Sequence, residues 1–397
     1  MMRPIRAVLF IALSTFFCSL HVAAASKSSL DALDKYLQDL RQDDLSSFLA
    51  QPSEPSKNIA IRSETARVPA STLKLATAYL ALKRWGEKHR FHTDFFVSGN
   101  TLWVKGYGDP FITSQEIARM ARALRPKLKG VKRIALDNTY FPELSLDGRG
   151  NSSNPYDASN AALVANFNTM NIVRSPDGVF SAEPQTPLTP LSIKQANKGP
   201  FGKRRIALPG GRDYSARYFG ELLSQALFGG QVKIRLAPVP AKTTLLYRHK
   251  SSQELLQVVQ SMLRYSNNFI ANQLFLLLPE GIEQVDPVLA QQWYKDKLVE
   301  EFKWTGVNFA DGAGLSRKNS ISAVQLAQLL DAFRPWMDLL PSQVGGVKAK
   351  TGTLSDNHSY AGYYREGKQW RSFVLLVNQK MPYNYRFNLA RALVKAK

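Results

Sequence analysis

The sequence predicts an α/β (α+β) protein in which an antiparallel sheet is flanked by helices and interrupted by an inserted β-rich domain. An apolar helix begins after Pro69. Leu75, Tyr79 and Leu82 recur there at helical spacing with small alanines between them, as in a central helix. The last third of the chain changes from helical to strand-like periodicity, and residues 90–241 combine short strand-like runs with loops rich in Gly, Asn and Pro. These three observations define the fold class, and 397 residues are enough for more than one lobe.

Periodicity assigns the remaining elements in chain order. Apolar residues three and four positions apart predict helices at 26–51, 114–124, 214–228, 252–264, 268–278, 285–300, 321–333 and 386–395. Alternating apolar residues predict strands at 58–64, 91–97, 101–105, 131–137, 346–354, 360–365 and 371–378. Residues 98–100 are typical of a hairpin turn, Gly86 of a helix end and Ser320 of a helix N-cap. The stretch 178–211 lacks periodicity and is predicted as loop.

Residues 1–25 are predicted to be a secretory signal peptide. Arg3 and Arg6 precede an apolar run over 7–22, and three alanines offer a small-residue cleavage site before Ser26. The alternative is an uncleaved membrane anchor, which the short apolar run disfavours. Cleavage would place the mature protein in the periplasm and would remove Cys18, the one cysteine of the chain. The mature protein is therefore expected to lack thiol and disulfide chemistry.

The chain is strongly basic, with a formal net charge of +21 at pH 7. The basic residues are spread along the whole chain, and the secretory signal argues against nucleic acid as a partner. An acidic extracytoplasmic polymer such as cell-wall peptide suits this charge better. Five histidines show no metal-ligand spacing, so the sequence predicts neither a metal nor another cofactor. The basic helix at 386–395 is expected to pack on the sheet, with loose membrane-surface association as the alternative, and the oligomeric state does not follow from the sequence.

The start of the apolar helix carries a candidate nucleophile and its base. Ser71 falls in the first turn, where free backbone N–H groups and the helix dipole favour negative charge. Lys74 lies three residues further on and is expected on the same face. A serine is a weak nucleophile until a base takes its proton. Lysine is such a base only when burial or a second cation lowers its pKa.

Two further motifs contain residues suited to the same chemistry. Ser266 and Asn268 lie between two predicted helices, where side chains can point into a cleft; the alternative is a simple helix cap. The segment Lys350-Thr351-Gly352-Thr353 lies in a predicted strand, and its glycine allows a ligand to approach the backbone closely. The alternative here is a solvated edge strand. The triplet at 355–357 also matches Ser-x-Asn but follows the lysine motif, so it is assigned no catalytic role.

In the order Ser-x-x-Lys, Ser-x-Asn, Lys-Thr-Gly, these motifs resemble those of the penicilloyl-serine transferase superfamily, which contains serine β-lactamases and penicillin-binding proteins. Further segments resemble its D-alanyl-D-alanine carboxypeptidase/endopeptidase branch, the low-molecular-mass class C penicillin-binding proteins of the penicillin-binding protein 4 type. These segments are 68–71, 90–93, 108–110 and 311–317. The resemblance implies a β-lactamase/transpeptidase-like antiparallel sheet in a catalytic domain formed by 26–89 and 242–397. It also implies an inserted domain, 90–241, between the first two motifs. Ala313 and Asn272 depart from the family pattern, which tends to have serine and an acidic residue there.

The resemblance implies a role for each residue of the first two motifs. Ser71 would attack the carbonyl of a D-Ala-D-Ala bond with Lys74 as base. Ser266 would relay the proton to the leaving amine. Asn268 would donate a hydrogen bond to Lys74 or to the substrate.

The third motif is implied to bind the substrate. Lys350 would keep Lys74 neutral and attract the terminal carboxylate, which Thr351 and Thr353 would bind. The backbone N–H groups of Ser71 and Thr353 would form the oxyanion hole.

Peptidoglycan peptides are the implied substrates, and β-lactams are implied to acylate the serine. Two alternatives remain, a serine β-lactamase and a non-catalytic peptidoglycan-binding protein of the same fold. The first is disfavoured because no Glu-x-x-Leu-Asn type deacylation segment lies at a useful distance between the motifs. The second is disfavoured by the intact set of Ser71, Lys74, Ser266 and Lys350.

Overall fold

The computed structural model describes residues 31–396. The predicted signal peptide, with Cys18, lies outside the described residues, as does the start of the helix predicted at 26–51. Within residues 31–396, no helix is long and apolar enough to cross a membrane.

The elements follow one another along the whole described chain. The helices are α1 (31–42 in its described part), α2 (Lys74–Trp85), α3 (Ser114–Leu124), α4 (Pro190–Ala196), α5 (Gly211–Phe228), α6 (Leu255–Arg264), α7 (Asn268–Leu277), α8 (Pro287–Phe302), α9 (Ala323–Phe333) and α10 (Tyr385–Lys395). The strands are β1 (Ser46–Ala50), β2 (Ile59–Ile61), β3 (His92–Ser98), β4 (Thr101–Gly106), β5 (Arg133–Asp137), β6 (Thr169–Ser175), β7 (Gly178–Ser181), β8 (Gly202–Ala207), β9 (Lys233–Leu236), β10 (Leu245–Lys250), β11 (Val347–Leu354), β12 (Asn357–Glu366) and β13 (Gln369–Val377). Most predicted elements are confirmed to within a few residues, and Gly86 ends α2 with φ +76°.

Three local predictions are wrong. The helix predicted at 26–51 ends at residue 42, and Ser46–Ala50 is a strand buried along its whole length. Such a short buried strand has no alternation that distinguishes it from a helix. The N-cap of α9 is Ser322 rather than Ser320, since its hydroxyl accepts a hydrogen bond from Gln325 N. The stretch 178–211, which is predicted as loop, contains β7, α4 and β8. The run of basic residues in β8 lacks the alternation of apolar residues that predicts a strand.

The chain divides into two compact units. The first unit contains residues 31–72 and 321–396 among those described, and the second unit contains residues 73–320.

The first unit is built on an antiparallel sheet with strand order β11-β12-β13-β1-β2. One face carries Phe48, Phe373 and Leu375, which share a core with apolar residues of α1 and α10. Helix α9 packs on β13 and β1, and the hydroxyl of Tyr363 donates a hydrogen bond to the carbonyl of Leu330 in that helix. Because side chains alternate along a strand, the sheet lies between two helical layers. Strand β11 is at its edge.

The second unit contains a five-stranded sheet in the order β10-β3-β4-β5-β9 and a three-stranded sheet in the order β7-β6-β8. Strands β4, β5 and β9 are parallel, and α3 and α5 provide the crossovers that parallel strands require. Val104, Leu136 and Phe219 belong to the core that these elements share. Helix α2 packs on α6 and α7 in the same unit.

The strands within 90–241 form only the two sheets of the second unit, and none of those described joins the sheet of the first. Strand β10 lies beyond residue 241 and pairs with β3, so the five-stranded sheet extends past the predicted limit. The compact units divide after Thr72 and after Ser320. The inserted domain at 90–241 stays a prediction.

Candidate active site

The predicted site residues are divided between the two units. Ser71 and residues 350–353 belong to the first unit, whereas Lys74, Ser266 and Asn268 belong to the second. Ser71 and Lys74 are three residues apart in the sequence, on either side of a division that follows residue 72.

In the second unit, Lys74 is the first residue of α2 and is fully buried. Its Nζ donates hydrogen bonds to Oδ1 of Asn268 at 2.8 Å and to the carbonyl oxygen of Ala313 at 2.7 Å. The structure thus brings two predicted residues together. The expected direction of their hydrogen bond is corrected, because the amide oxygen of Asn268 accepts from Lys74.

The burial of Lys74 meets the condition that the sequence argument set for a base. Burial lowers the pKa of Lys74 to about 7, and the carboxylate of Asp311 acts in the opposite direction. Desolvation penalises the charged ammonium more than the neutral amine. About half of such lysines are neutral at pH 7, and the neutral amine is the form that can accept a proton from serine.

Ser266 lies in the short break between α6 and α7, with a φ of +51° that is uncommon outside glycine. The N-cap of α7 is Asn267, whose Oδ1 accepts a hydrogen bond from Ile270 N at 3.0 Å. The helix-cap alternative is therefore correct for Asn267. The cap fixes Asn268 at the first position of α7, where its side chain reaches Lys74.

The loop at 311–316 positions the second acceptor of Lys74. The buried carboxylate of Asp311 accepts hydrogen bonds from the backbone N–H groups at positions 313, 315 and 316. Oδ1 of Asn272 accepts from Gly312 N at 3.0 Å. In the sequence, this segment indicates only the family. A backbone carbonyl such as that of Ala313 has no signal in the sequence.

In the first unit, the turn before Ser71 is held by two hydroxyl groups. The carbonyl oxygen of Pro69 accepts hydrogen bonds from Thr72 Oγ1 and Ser359 Oγ, each at 2.7 Å. Ala70, which lies between Pro69 and Ser71 in the sequence, is completely buried and has a φ of +47°. Such backbone conformations persist where the surroundings enforce them. Ser71 itself is only partly buried.

Gly352 brings β11 against this turn. A Cβ atom at this position would lie 2.1 Å from Ser359 Oγ and 2.8 Å from Ser71 N. Any side chain would displace the turn, so glycine is required here. The turn before Ser71, rather than a ligand, makes this close approach to the backbone, and the expected approach of a ligand stays a prediction. The structure thus places the third motif beside the backbone N–H of Ser71.

The other side chains of the third motif differ in burial along β11. Lys350 is buried, and its Nζ donates a hydrogen bond to the carbonyl of Thr351 at 2.6 Å. Thr353 is exposed, and its hydroxyl oxygen accepts a hydrogen bond at 3.0 Å from Nη1 of Arg386 in α10. The packing of this helix on the sheet is confirmed. In the sequence, Arg386 is one residue of a predicted basic helix, and no motif marks it.

A cavity of about 360 Å³ borders Asn268 in the second unit, lined among others by Tyr156, Arg205 and Tyr265. A larger cavity of about 550 Å³ lies around Arg149 and contains no predicted site residue. The smaller cavity therefore borders a hydrogen-bond partner of Lys74, whereas the larger cavity does not.

Solved structures share this fold. Penicillin binding protein 4 from Haemophilus influenzae matches with a TM-score of 0.71 and 20% identity, over 90% of this chain and 98% of that one. The same protein complexed with a β-lactam matches with a TM-score of 0.67 and 20% identity, over 91% and 98%. A predatory peptidoglycan endopeptidase from Bdellovibrio bacteriovorus matches with a TM-score of 0.51 and 14% identity, over 88% and 90%. The fold is therefore that of the penicillin-binding proteins, as the motifs predicted.

The sequence comparisons identify the family. The chain belongs to the D-Ala-D-Ala carboxypeptidase 3 (S13) family, whose model matches residues 29–395. A curated relative, the D-alanyl-D-alanine carboxypeptidase of Actinomadura sp. (strain R39), is 26% identical over 75% of this chain and 70% of that protein. The chain is thus a serine peptidase of the D-Ala-D-Ala carboxypeptidase class, and the family prediction is confirmed.

Proposed function

We propose that the chain hydrolyses the terminal D-Ala-D-Ala bond of peptidoglycan peptides through an acyl-enzyme on Ser71, with Lys74 as base. The observation that carries this proposal is the buried amine of Lys74, whose pKa of about 7 suits a base at neutral pH. Its pairing with Ser71 rests on their three-residue spacing in the sequence.

In the acylation step, Oγ of Ser71 bonds to the penultimate D-Ala carbonyl while its proton passes to Lys74. The C–N bond then breaks, and the leaving D-alanine amine takes a proton through Ser266. Positioned proton transfer of this kind contributes roughly 10²–10⁴-fold. The negative charge on the carbonyl oxygen would be stabilised by the N–H groups of Ser71 and Thr353, each worth on the order of 10²–10³ in rate.

In the deacylation step, water attacks the ester carbonyl and loses a proton to Lys74. The C–O bond breaks, Ser71 recovers its proton, and the peptide leaves as a carboxylate. A β-lactam would enter by the same route, because opening of its ring forms the same ester bond to Ser71. The Haemophilus relative solved with a β-lactam supports this part of the proposal.

We further propose an endopeptidase activity on cross-linked peptides. A cross-link is an amide on the D-Ala carbonyl, so only the leaving amine differs from that of the carboxypeptidase reaction. The fold shared with a peptidoglycan endopeptidase supports it.

The test is to incubate the purified protein with a disaccharide pentapeptide and, separately, with a cross-linked dimer. Release of D-alanine from the first and of monomers from the second is expected. Lys74→Ala should lose both activities, whereas Lys83→Ala, on an exposed position of the same helix, should keep them. Hydrolysis of penicillin without release of D-alanine would favour the β-lactamase alternative. Absence of any turnover and of any adduct would favour the non-catalytic one.

We also propose that the protein acts in the periplasm after cleavage of residues 1–25. The basic start, apolar run and small-residue site of that segment support this. Cell fractionation with N-terminal sequencing should find the protein outside the inner membrane, beginning at Ser26. An intact N-terminus in the membrane fraction would support the anchor alternative.

A further inference from the structure

Arg386 is a buried cation that contacts the last two residues of the third motif, Gly352 and Thr353. It is 2% exposed and belongs to α10 of the first unit. Its Nη1 donates hydrogen bonds to the carbonyl oxygen of Gly352 at 2.7 Å and to Thr353 Oγ1 at 3.0 Å, with a longer contact of 3.4 Å to the carbonyl oxygen of Ser359.

These acceptors are all uncharged oxygens. The guanidinium carbon lies 4.8 Å from the ring centroid of Tyr383 and 5.2 Å from that of Phe387. Within residues 31–396, Nε of Arg386 has no hydrogen-bond partner. A buried charge is costly unless it is compensated, and a carboxylate is its usual partner. These neutral groups do not offset the positive charge, which lies next to Thr353 at the end of β11.

The contact with Gly352 acts on the peptide unit that also contains the N–H of Thr353. A cation that donates to the carbonyl oxygen of an amide draws electron density from its nitrogen and makes its N–H a better donor. The proposed oxyanion hole uses this N–H. Arg386 would therefore make this N–H a better donor to the proposed oxyanion without contacting it.

The contact with Thr353 Oγ1 orients the hydroxyl group. A threonine hydroxyl has one proton to donate and two lone pairs that can accept. Because Nη1 of Arg386 occupies one lone pair, the O–H bond points away from the guanidinium. Thr353 is exposed, so this proton is available to an incoming acceptor such as a carboxylate.

We propose that Arg386 is a positioning residue that sets the preference for a substrate with a free terminal carboxylate, acting through Thr353. The proposal rests on the proposed function, since Thr353 must face the substrate. It assigns to α10 a part in specificity in addition to its packing role.

The experiment compares acylation by benzylpenicillin and by its methyl ester, which differ only in the carboxylate. The wild-type protein should prefer the free acid. Arg386→Gln should lower the ratio of the two second-order rate constants by about 10- to 100-fold, the size expected for one hydrogen bond to a charged group. Arg386→Lys should restore part of this ratio because it keeps the positive charge. Arg391→Gln, on an exposed position of the same helix, should leave it unchanged.

A purely structural role predicts a different result, since loss of packing would slow both probes equally and leave the ratio intact. That outcome would overturn the inference. If Arg386→Gln does not fold, Arg386→Lys still tests the inference. The change that Arg386→Lys causes in the ratio of the two rate constants should vanish when Thr353 is replaced by valine. A persisting effect would show that Arg386 does not act through Thr353. Failure of the wild-type protein to be acylated would instead refute the proposed function.

Discussion

Asn268→Asp tests the electrostatic basis of Lys74 as the base. The substitution replaces a neutral amide oxygen, 2.8 Å from Nζ of a fully buried lysine, by a carboxylate of nearly the same shape. The ammonium form gains a counter-ion, so the pKa of Lys74 should rise. The limb of the rate profile that depends on the neutral amine should therefore move to higher pH.

The magnitude follows from the distance. Two unit charges 2.8 Å apart attract with about 6 kcal/mol at an effective dielectric constant near 20, before desolvation of the new carboxylate is subtracted. Allowing for that penalty, an adjacent opposite charge typically shifts a pKa by about 1–3 units. With a starting pKa of about 7, the neutral fraction at pH 7 should fall from about a half to between roughly a tenth and a thousandth. Acylation at pH 7 should slow accordingly, by about 5- to 500-fold.

The assay measures acylation by a fluorescent penicillin from pH 5.5 to 9.5. The wild-type rate should rise through a midpoint near 7, and the Asn268→Asp rate should rise later and recover at least partly in alkaline buffer. Asn268→Ala removes the acceptor without adding charge and should not shift the midpoint upwards. An unchanged midpoint in Asn268→Asp, or the same upward shift in both variants, would refute the reasoning.

Three further substitutions test single parts of the account. Gly352→Ala forces a methyl group to within 2.8 Å of Ser71 N and should slow acylation by about 10²-fold or more, as for loss of an oxyanion donor; wild-type kinetics would contradict this. Ser266→Gly relieves a φ of +51° and should raise the free energy of unfolding by about 1 kcal/mol in urea, while D-alanine release falls roughly 10²-fold or more; a loss of stability would contradict the strain argument. Thr77→Val removes the hydroxyl that contacts Gly312 O at 2.7 Å and Tyr294 Oη at 3.0 Å, and it should lower the free energy of unfolding by about 1–3 kcal/mol. Thr77→Ser keeps the hydroxyl and should lower it much less. Equal losses in the two variants would assign the effect to packing.

The helix after Pro69 and the strand of the third motif could be predicted because local chemistry decides them. Proline, small alanines and apolar spacing indicate a helix after Pro69, and the structure has a short 3₁₀ turn at Ala70–Leu73 followed by α2 from Lys74. The glycine at 352 indicates a close approach to the backbone, which the turn before Ser71 makes. Helix α3 has the predicted ends because its apolar stripe and its N-cap at Thr113 agree.

The remaining features depend on partners far away in the sequence. Half of the residues of strand β8 are charged, and the strand gains its partner β6 only through the fold, so no alternation marks it. The carbonyl of Ala313 accepts from Lys74 only because Asp311 holds the loop, and Arg386 reaches Thr353 only when α10 lies on the sheet. Residue types and spacing do not encode such contacts, because backbone acceptors and helix docking are set by tertiary structure.

The central claim is that Ser71 is the residue that carries the acyl group. The measurement is incubation of the purified protein with a fluorescent penicillin, followed by intact mass and peptide mapping. One adduct, on the peptide that contains Ser71, is expected, and Ser71→Ala should abolish it without loss of fold. An adduct on any other residue, or persistent labelling of Ser71→Ala, would contradict the account.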